Sequence, residues 1–150
     1  MLRLTSKVFG DGETIPAKYT CVGKDINPQL EINGVTGQTR SLVLIMEDHD
    51  VSHALRADGM WDHWLRYNIP PETTIIVEGT EPEGESGLGT SRNKIYHGPC
   101  PPDGEHRYFF KLYALDTVLS FPKSPIKKEL LAVMKRHILE KTVLMGRFKK

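Results

Sequence analysis

Tyr108-Phe109-Phe110-Lys111-Leu112-Tyr113-Ala114-Leu115 is the strongest strand signal in the chain. Aromatic and apolar residues fill it, as they fill strands that pack on a pleated surface. Ser41-Leu42-Val43-Leu44-Ile45-Met46 is a continuous apolar run and reads as a buried central strand. Residues 62–69 form a third strand, rich in aromatics. Leu2-Arg3-Leu4 and Gln29-Leu30-Glu31-Ile32 alternate and read as shorter ones, and the β-branched stretch 73–77 reads as an edge strand. One helix is predicted, with Ser124 as N-cap, Pro125 at its first position, and a stripe of Ile126, Leu130, Leu131, Met134 and Ile138. Residues 142–148 alternate as a last strand. Many strands and one late helix predict a mainly β fold, an antiparallel β-sandwich with a short helix in the C-terminal half.

Composition narrows the class. The 150 residues are read as a single domain, 1–150, with 39% hydrophobic and 26% charged residues. The formal charge of +1 gives no electrostatic case for nucleic acid. The N-terminus lacks the apolar core of about seven residues that a signal peptide needs. No apolar stretch approaches a membrane span. A cytoplasmic protein without membrane insertion is the expectation. Cys21 and Cys100 are too few for a secreted disulfide scaffold, and neither stands in a C-x-x-C. The reading is two reduced thiols, with a Cys21–Cys100 bridge as the alternative.

Four polar blocks interrupt or end the apolar runs: Asp48-His49-Asp50, Trp61-Asp62-His63-Trp64, Gly98-Pro99-Cys100-Pro101-Pro102 and His106-Arg107-Tyr108. Buried carboxylates and imidazoles are costly unless they bond each other or a ligand, so one shared pocket is the economical explanation. Residues two apart in a strand share a face, which points His106 and Tyr108 into one cavity. The same rule puts His63 with Leu65 and Tyr67, and Trp64 with Arg66. Imidazole N–H groups and a tyrosine O–H suit a small oxyanion, and backbone N–H groups at Gly98 and Cys100 could add to them. A carboxylate there orients a histidine or receives an ammonium. Trp61 is a candidate wall.

The competing readings are structural histidines and a metal site. His63, His106 and Asp48 would make a two-histidine, one-carboxylate set, but no tight local spacing supports it, so no metal and no cofactor are assigned. His49 and His53 fall in the polar segment 49–59 and read as solvated; His97 adjoins the site loop; His137 reads as a structural position beside the helix stripe. No G-x-S-x-G elbow or phosphate-cradling loop occurs, and no nucleophile stands out, so no catalytic residue is assigned.

The same residues carry a resemblance. Asp48-x-Asp50, Trp61-x-His63-Trp64, Gly98-Pro99-Cys100-Pro101-Pro102 and His106-Arg107-Tyr108 resemble the phosphatidylethanolamine-binding protein family. The match is to its compact prokaryotic branch, often called Raf kinase inhibitor-like or YbhB/YbcL-like. It extends from Phe9, Ile15-Pro16 and Tyr19 through Tyr113-Ala114-Leu115-Asp116 to the last strand. The resemblance implies a β-sandwich with a small pocket for phosphate or phosphorylated head groups. It implies Asp48, His63, Gly98, Cys100, His106 and Tyr108 as ligand-site residues, with Asp50, Trp61 and Pro102 flanking. Mammalian members add a C-terminal helix near the pocket, so a more open pocket is expected here.

The family pattern D-P-D-x-P reads Asp48-His49-Asp50-Val51-Ser52, without its prolines, and G-x-N reads Gly87-Leu88-Gly89, without its amide. The expected function is a non-enzymatic binding protein for a small phosphorylated or anionic ligand. Inhibition of a kinase or serine protease and homodimer formation are further associations of the family. A hydrolase using the same pocket is the alternative.

Overall fold

The computed structural model describes residues 1–150. Its strands are β1 (Arg3–Thr5), β2 (Leu30–Asn33), β3 (Ser41–Asp48), β4 (Trp61–Ile69), β5 (Ile75–Ile76), β6 (Glu85–Ser86), β7 (His106–Leu115) and β8 (Ile138–Phe148). One α-helix, α1, spans Lys127–Met134, and Ala17–Tyr19 form a single 3-10 turn. The strands make two antiparallel sheets, ordered β1-β2-β5 and β6-β4-β3-β7-β8. The mainly β reading with one short helix holds.

The apolar run of β3 is continuous because both of its faces are covered. Leu42, Leu44 and Met46 point between the sheets, into a core with Leu30, Ile32, Trp64, Phe110 and Leu112. Val43 and Ile45 point the other way, to Leu65, Tyr67, Tyr113 and the helix residues Leu130 and Met134. Burying a Leu or Ile side chain on either face contributes about 2 kcal/mol. The two-residue β5 lies at the edge of the small sheet, paired with β2, as the β-branched stretch suggested.

The helix begins later than its sequence signals. Pro125 spends its carbonyl on the Leu88 N–H at 2.7 Å, and Ile126 remains extended (ψ 167°) in a bridge with Leu88. Helical geometry cannot begin until Lys127, so Ile126 rather than Ser124 is the N-cap. The Glu129 carboxylate reaches back to the Ile126 N–H at 3.0 Å. The stripe narrows accordingly: Leu130 and Met134 are buried, while Ile126 and Leu131 are exposed and Ile138 belongs to β8.

One irregularity positions the site. Met46 pairs with Trp64 but Glu47 pairs with Asp62, so β4 holds one extra residue, His63. A bulge of this kind re-aims a side chain. Trp64 points between the sheets, whereas Leu65 and Tyr67 point to the helix. Strand alternation would have sent His63 with Leu65 and Tyr67; the bulge turns it toward Tyr108 instead, with ring centroids 5.4 Å apart.

Candidate functional site

Strand ends converge on a cavity of about 260 Å³. Asp48 is the last residue of β3, and its cross-strand neighbours are Trp61 of β4 and Tyr108 of β7. Asp48, Trp61, His63, Cys100, His106 and Tyr108 all line it, with Gly98, His97 and Pro102. Val51 and Leu55 complete the lining, so the segment read as a solvated loop contributes apolar wall. Nothing in the sequence pattern separated these two residues from their polar neighbours.

The fourth side is a loop clamped from a distance. The Gly98 N–H donates to Asp25 Oδ1 at 2.8 Å, and the Cys21 N–H to the Pro99 carbonyl at 3.1 Å. The Tyr96 hydroxyl donates to the Tyr19 carbonyl at 2.7 Å. These contacts place the Cα atoms of Cys21 and Cys100 5.4 Å apart, and the two form a disulfide. The reading as reduced thiols is therefore corrected: long-range loop packing, invisible in the spacing, brings the pair together. Gly98 is required, because a Cβ there would overlap Asp25 Oδ1 and the Tyr19 carbonyl oxygen. Its N–H, expected to face an anion, is already used.

The two histidines differ in kind. His106 is 4% exposed, and both its ring nitrogens meet carboxylates: Nδ1 and Asp48 Oδ2 at 2.6 Å, Nε2 and Asp103 Oδ1 at 3.2 Å. Burial alone would lower its pKa, but Asp48 and then Asp103 raise it above the ordinary value, favouring the imidazolium. With both nitrogens donating, His106 keeps no lone pair for a cation. His63 is also buried, yet burial prevails there and lowers its pKa to about 4, against the opposing effects of the His97 carbonyl and Asp48. Its Nδ1–H donates to that carbonyl at 2.6 Å, which fixes the tautomer and leaves a lone pair on Nε2.

Asp48 accepts from His106 and, through Oδ1, from the Asp50 N–H at 2.7 Å. The Tyr108 hydroxyl is buried in the lining with no hydrogen-bond partner. Burial, with Asp48 beside it, pushes the phenol pKa up, so it remains an O–H donor.

Asp50 does not face the cavity. Arg107 holds it through its backbone N–H (2.8 Å), Nε (2.9 Å) and Nη2 (2.8 Å), and this keeps its carboxyl below the ordinary range. His49 is stacked on Phe109 at 4.0 Å rather than solvated, while His53 is exposed as expected. His137 pairs with Asp116 at 2.8 Å. All peptide bonds are trans, including those where the family pattern has prolines. Beside Gly89 stands Asn93, whose Nδ2 donates to the His63 carbonyl at 2.7 Å. A Cβ on Gly89 would overlap Asn93 Oδ1.

Comparison with known proteins agrees with the fold. The family model for phosphatidylethanolamine-binding protein matches residues 5–149. A UPF0098 protein of Chlamydia pneumoniae is 45% identical over 149 residues, 99% of each chain. One from Methanothermobacter thermautotrophicus is 40% identical over 155 residues, again 99% of each. The crystal structure of a phosphatidylethanolamine-binding protein homolog, CT736 of Chlamydia trachomatis, superposes with a TM-score of 0.96 at 44% identity, covering 99% of this chain and 97% of that one. Escherichia coli YbcL shares the fold, with a TM-score of 0.88 at 22% identity over 99% and 98% of the two chains. None of these names states an enzymatic activity.

Proposed function

The chain belongs to the phosphatidylethanolamine-binding protein family, and on that premise we propose that its cavity holds a small phosphorylated or otherwise anionic group without acting on it. The observation that carries this reading is the cavity itself, in which Asp48, His63, His106 and Tyr108, far apart in sequence, come together at strand ends. The Tyr108 hydroxyl is buried there beside the Asp48 carboxylate and the Cys100 N–H, in no well-formed hydrogen bond with either.

Calorimetric titration with O-phosphoethanolamine tests the reading. Tyr108→Phe is expected to lower affinity about tenfold or more, as for a lost hydrogen bond to a charged group, while leaving thermal stability unchanged within about 0.5 kcal/mol. Unchanged affinity would remove Tyr108 from the site.

Contact with a kinase or serine protease is a second reading, favoured by one observation: Leu55 stands 64% exposed at the cavity mouth. Inhibition that survives Tyr108→Phe and fails in Leu55→Asp would place that contact on the rim. No helix is long and apolar enough to cross a membrane. A cytoplasmic location is kept as a proposal; the Cys21–Cys100 bridge is the one observation that does not favour it, because such bridges persist mainly in oxidising compartments.

A further inference from the structure

We infer that the Cys21–Cys100 bridge is a reversible thiol–disulfide gate on the cavity wall. A thiol reductant loosens the stretch 100–105 and weakens ligand binding, and reoxidation restores both. The binding half rests on the anion-pocket reading above; the movement of the wall does not. Cys100 is exposed and lines the cavity, whereas Cys21 is half-buried. A thiolate arriving from solvent therefore reaches the Cys100 sulfur first.

The bridge stands at the junction of two unlike halves of one loop. Residues 96–99 are held without it. The Tyr96 hydroxyl donates to the Tyr19 carbonyl at 2.7 Å, the Gly98 N–H to Asp25 Oδ1 at 2.8 Å, and the Cys21 N–H to the Pro99 carbonyl at 3.1 Å. The segment that receives them is folded on itself: the Thr20 N–H meets the Ala17 carbonyl at 3.1 Å, and the Asp25 N–H meets the Lys18 carbonyl at 3.1 Å. Residues 100–105, by contrast, make no backbone–backbone hydrogen bond, and Pro101 alone among them is buried. Their two ion pairs use exposed carboxylates, Asp103 with His106 Nε2 at 3.2 Å and Glu105 with Arg147 at 2.9 Å. Such a stretch is the first to open when a crosslink is removed. It carries the Pro102 wall and the outer partner of His106.

The exchange balances with a low-molecular-weight thiol such as glutathione as reductant. Its thiolate attacks Cys100 Sγ, the bond between the two cysteine sulfurs breaks, and Cys21 leaves as a thiolate. A second glutathione thiolate attacks the glutathione sulfur of the mixed disulfide, and Cys100 leaves. Two electrons pass to the bridge, each cysteine takes up one proton, and oxidised glutathione is released. The reverse reaction is favoured by the clamp. Contacts that survive reduction hold Cys21 against Pro99, so the thiols remain in bridging range although 79 residues separate them. By linkage, a ligand that prefers the bridged form makes the bridge harder to reduce by the same factor.

The test equilibrates the ¹⁵N-labelled full chain at pH 7 in glutathione buffers of graded reduced-to-oxidised ratio. Amide and imidazole resonances are followed, and inorganic phosphate is titrated calorimetrically into each end state. The chain is expected to stay folded when reduced. The amides of Cys100 and 103–105 and the Nε2 of His106 should shift, while residues 96–98 and His63, which is bonded to the His97 carbonyl, stay nearly unmoved. Phosphate affinity should fall about tenfold and return on reoxidation, and saturating phosphate should raise the squared reduced glutathione concentration over oxidised at half-reduction by the same factor. Cys21→Ala with Cys100→Ala should reproduce the reduced spectrum and ignore glutathione. A bridge that reduced glutathione leaves intact, global unfolding on reduction, or equal phosphate affinity in the two forms overturns the gate. The expected shifts with phosphate bound by neither form overturn the anion-pocket reading and leave the moving wall standing.

Discussion

Glu47 and Asp48 are adjacent in β3, each 3% exposed, and they point to opposite faces of the same sheet. On the helix face Glu47 is saturated. Lys111 and Lys127 each place Nζ 2.8 Å from it, and Lys127 also meets Asp62 Oδ1 at 2.8 Å. Burial raises the Glu47 pKa, but the two lysines outweigh it and the net shift is downward. On the other face Asp48 orients His106 beside a cavity, an unpartnered hydroxyl and an imidazole lone pair. Both faces bury charge. What distinguishes the two is how the carboxylate is answered: two lysines close over Glu47 on the helix face, while Asp48 holds a histidine beside the open cavity on the other.

The largest effect should come from removing the clamp on the open face. The Cys21–Cys100 bridge closes a loop across a sequence separation of 79, and a bridge of that span contributes about 4 kcal/mol. Cys21→Ser with Cys100→Ser is expected to lose roughly that in urea unfolding and to weaken anion binding, since the 98–102 loop loses its anchor. On the closed face, Glu47→Gln should cost about 3 kcal/mol by leaving Lys111 and Lys127 short of a countercharge. Anion affinity should be unchanged within about twofold at temperatures where the variant is folded. A large affinity loss in Glu47→Gln would erase the distinction between the faces.

How far the sequence revealed this division depended on how local each feature is. The long strands were legible because alternation and aromatic content are properties of neighbouring residues. His106 and Tyr108 were legible for the same reason. The position of His63 reached the right cavity against its own alternation, because a bulge reverses its face. Glu47 escaped notice: it continues a strand read as ending at Met46, and its lysine partners lie 64 and 80 residues away. Asp25 and Asp103, which occupy the Gly98 N–H and His106 Nε2, were missed because no spacing marks them. Asp50, a flanking position by the family pattern, lies between the lining residues Asp48 and Val51 with its carboxylate held by Arg107.

The smallest predicted effect follows from that ion pair. Asp50→Asn weakens an exposed ion pair and should cost at most about 1 kcal/mol of stability. It should leave anion affinity unaltered, which calorimetry on the variant checks. Altered selectivity among anions would return Asp50 to the cavity.

The most direct measurement of the open face is the set of imidazole ¹⁵N resonances of His63 and His106 at pH 7, before and after inorganic phosphate is added. His106 should be protonated on both nitrogens, held so by Asp48 and Asp103. His63 should be protonated on Nδ1 alone and stay neutral until the pH approaches about 4. Phosphate should then shift the bare Nε2 of His63 and leave His106 nearly unmoved. A His63 that is protonated on both nitrogens at pH 7, or one that does not respond to phosphate, would contradict an anion pocket in which His63 rather than His106 meets the ligand.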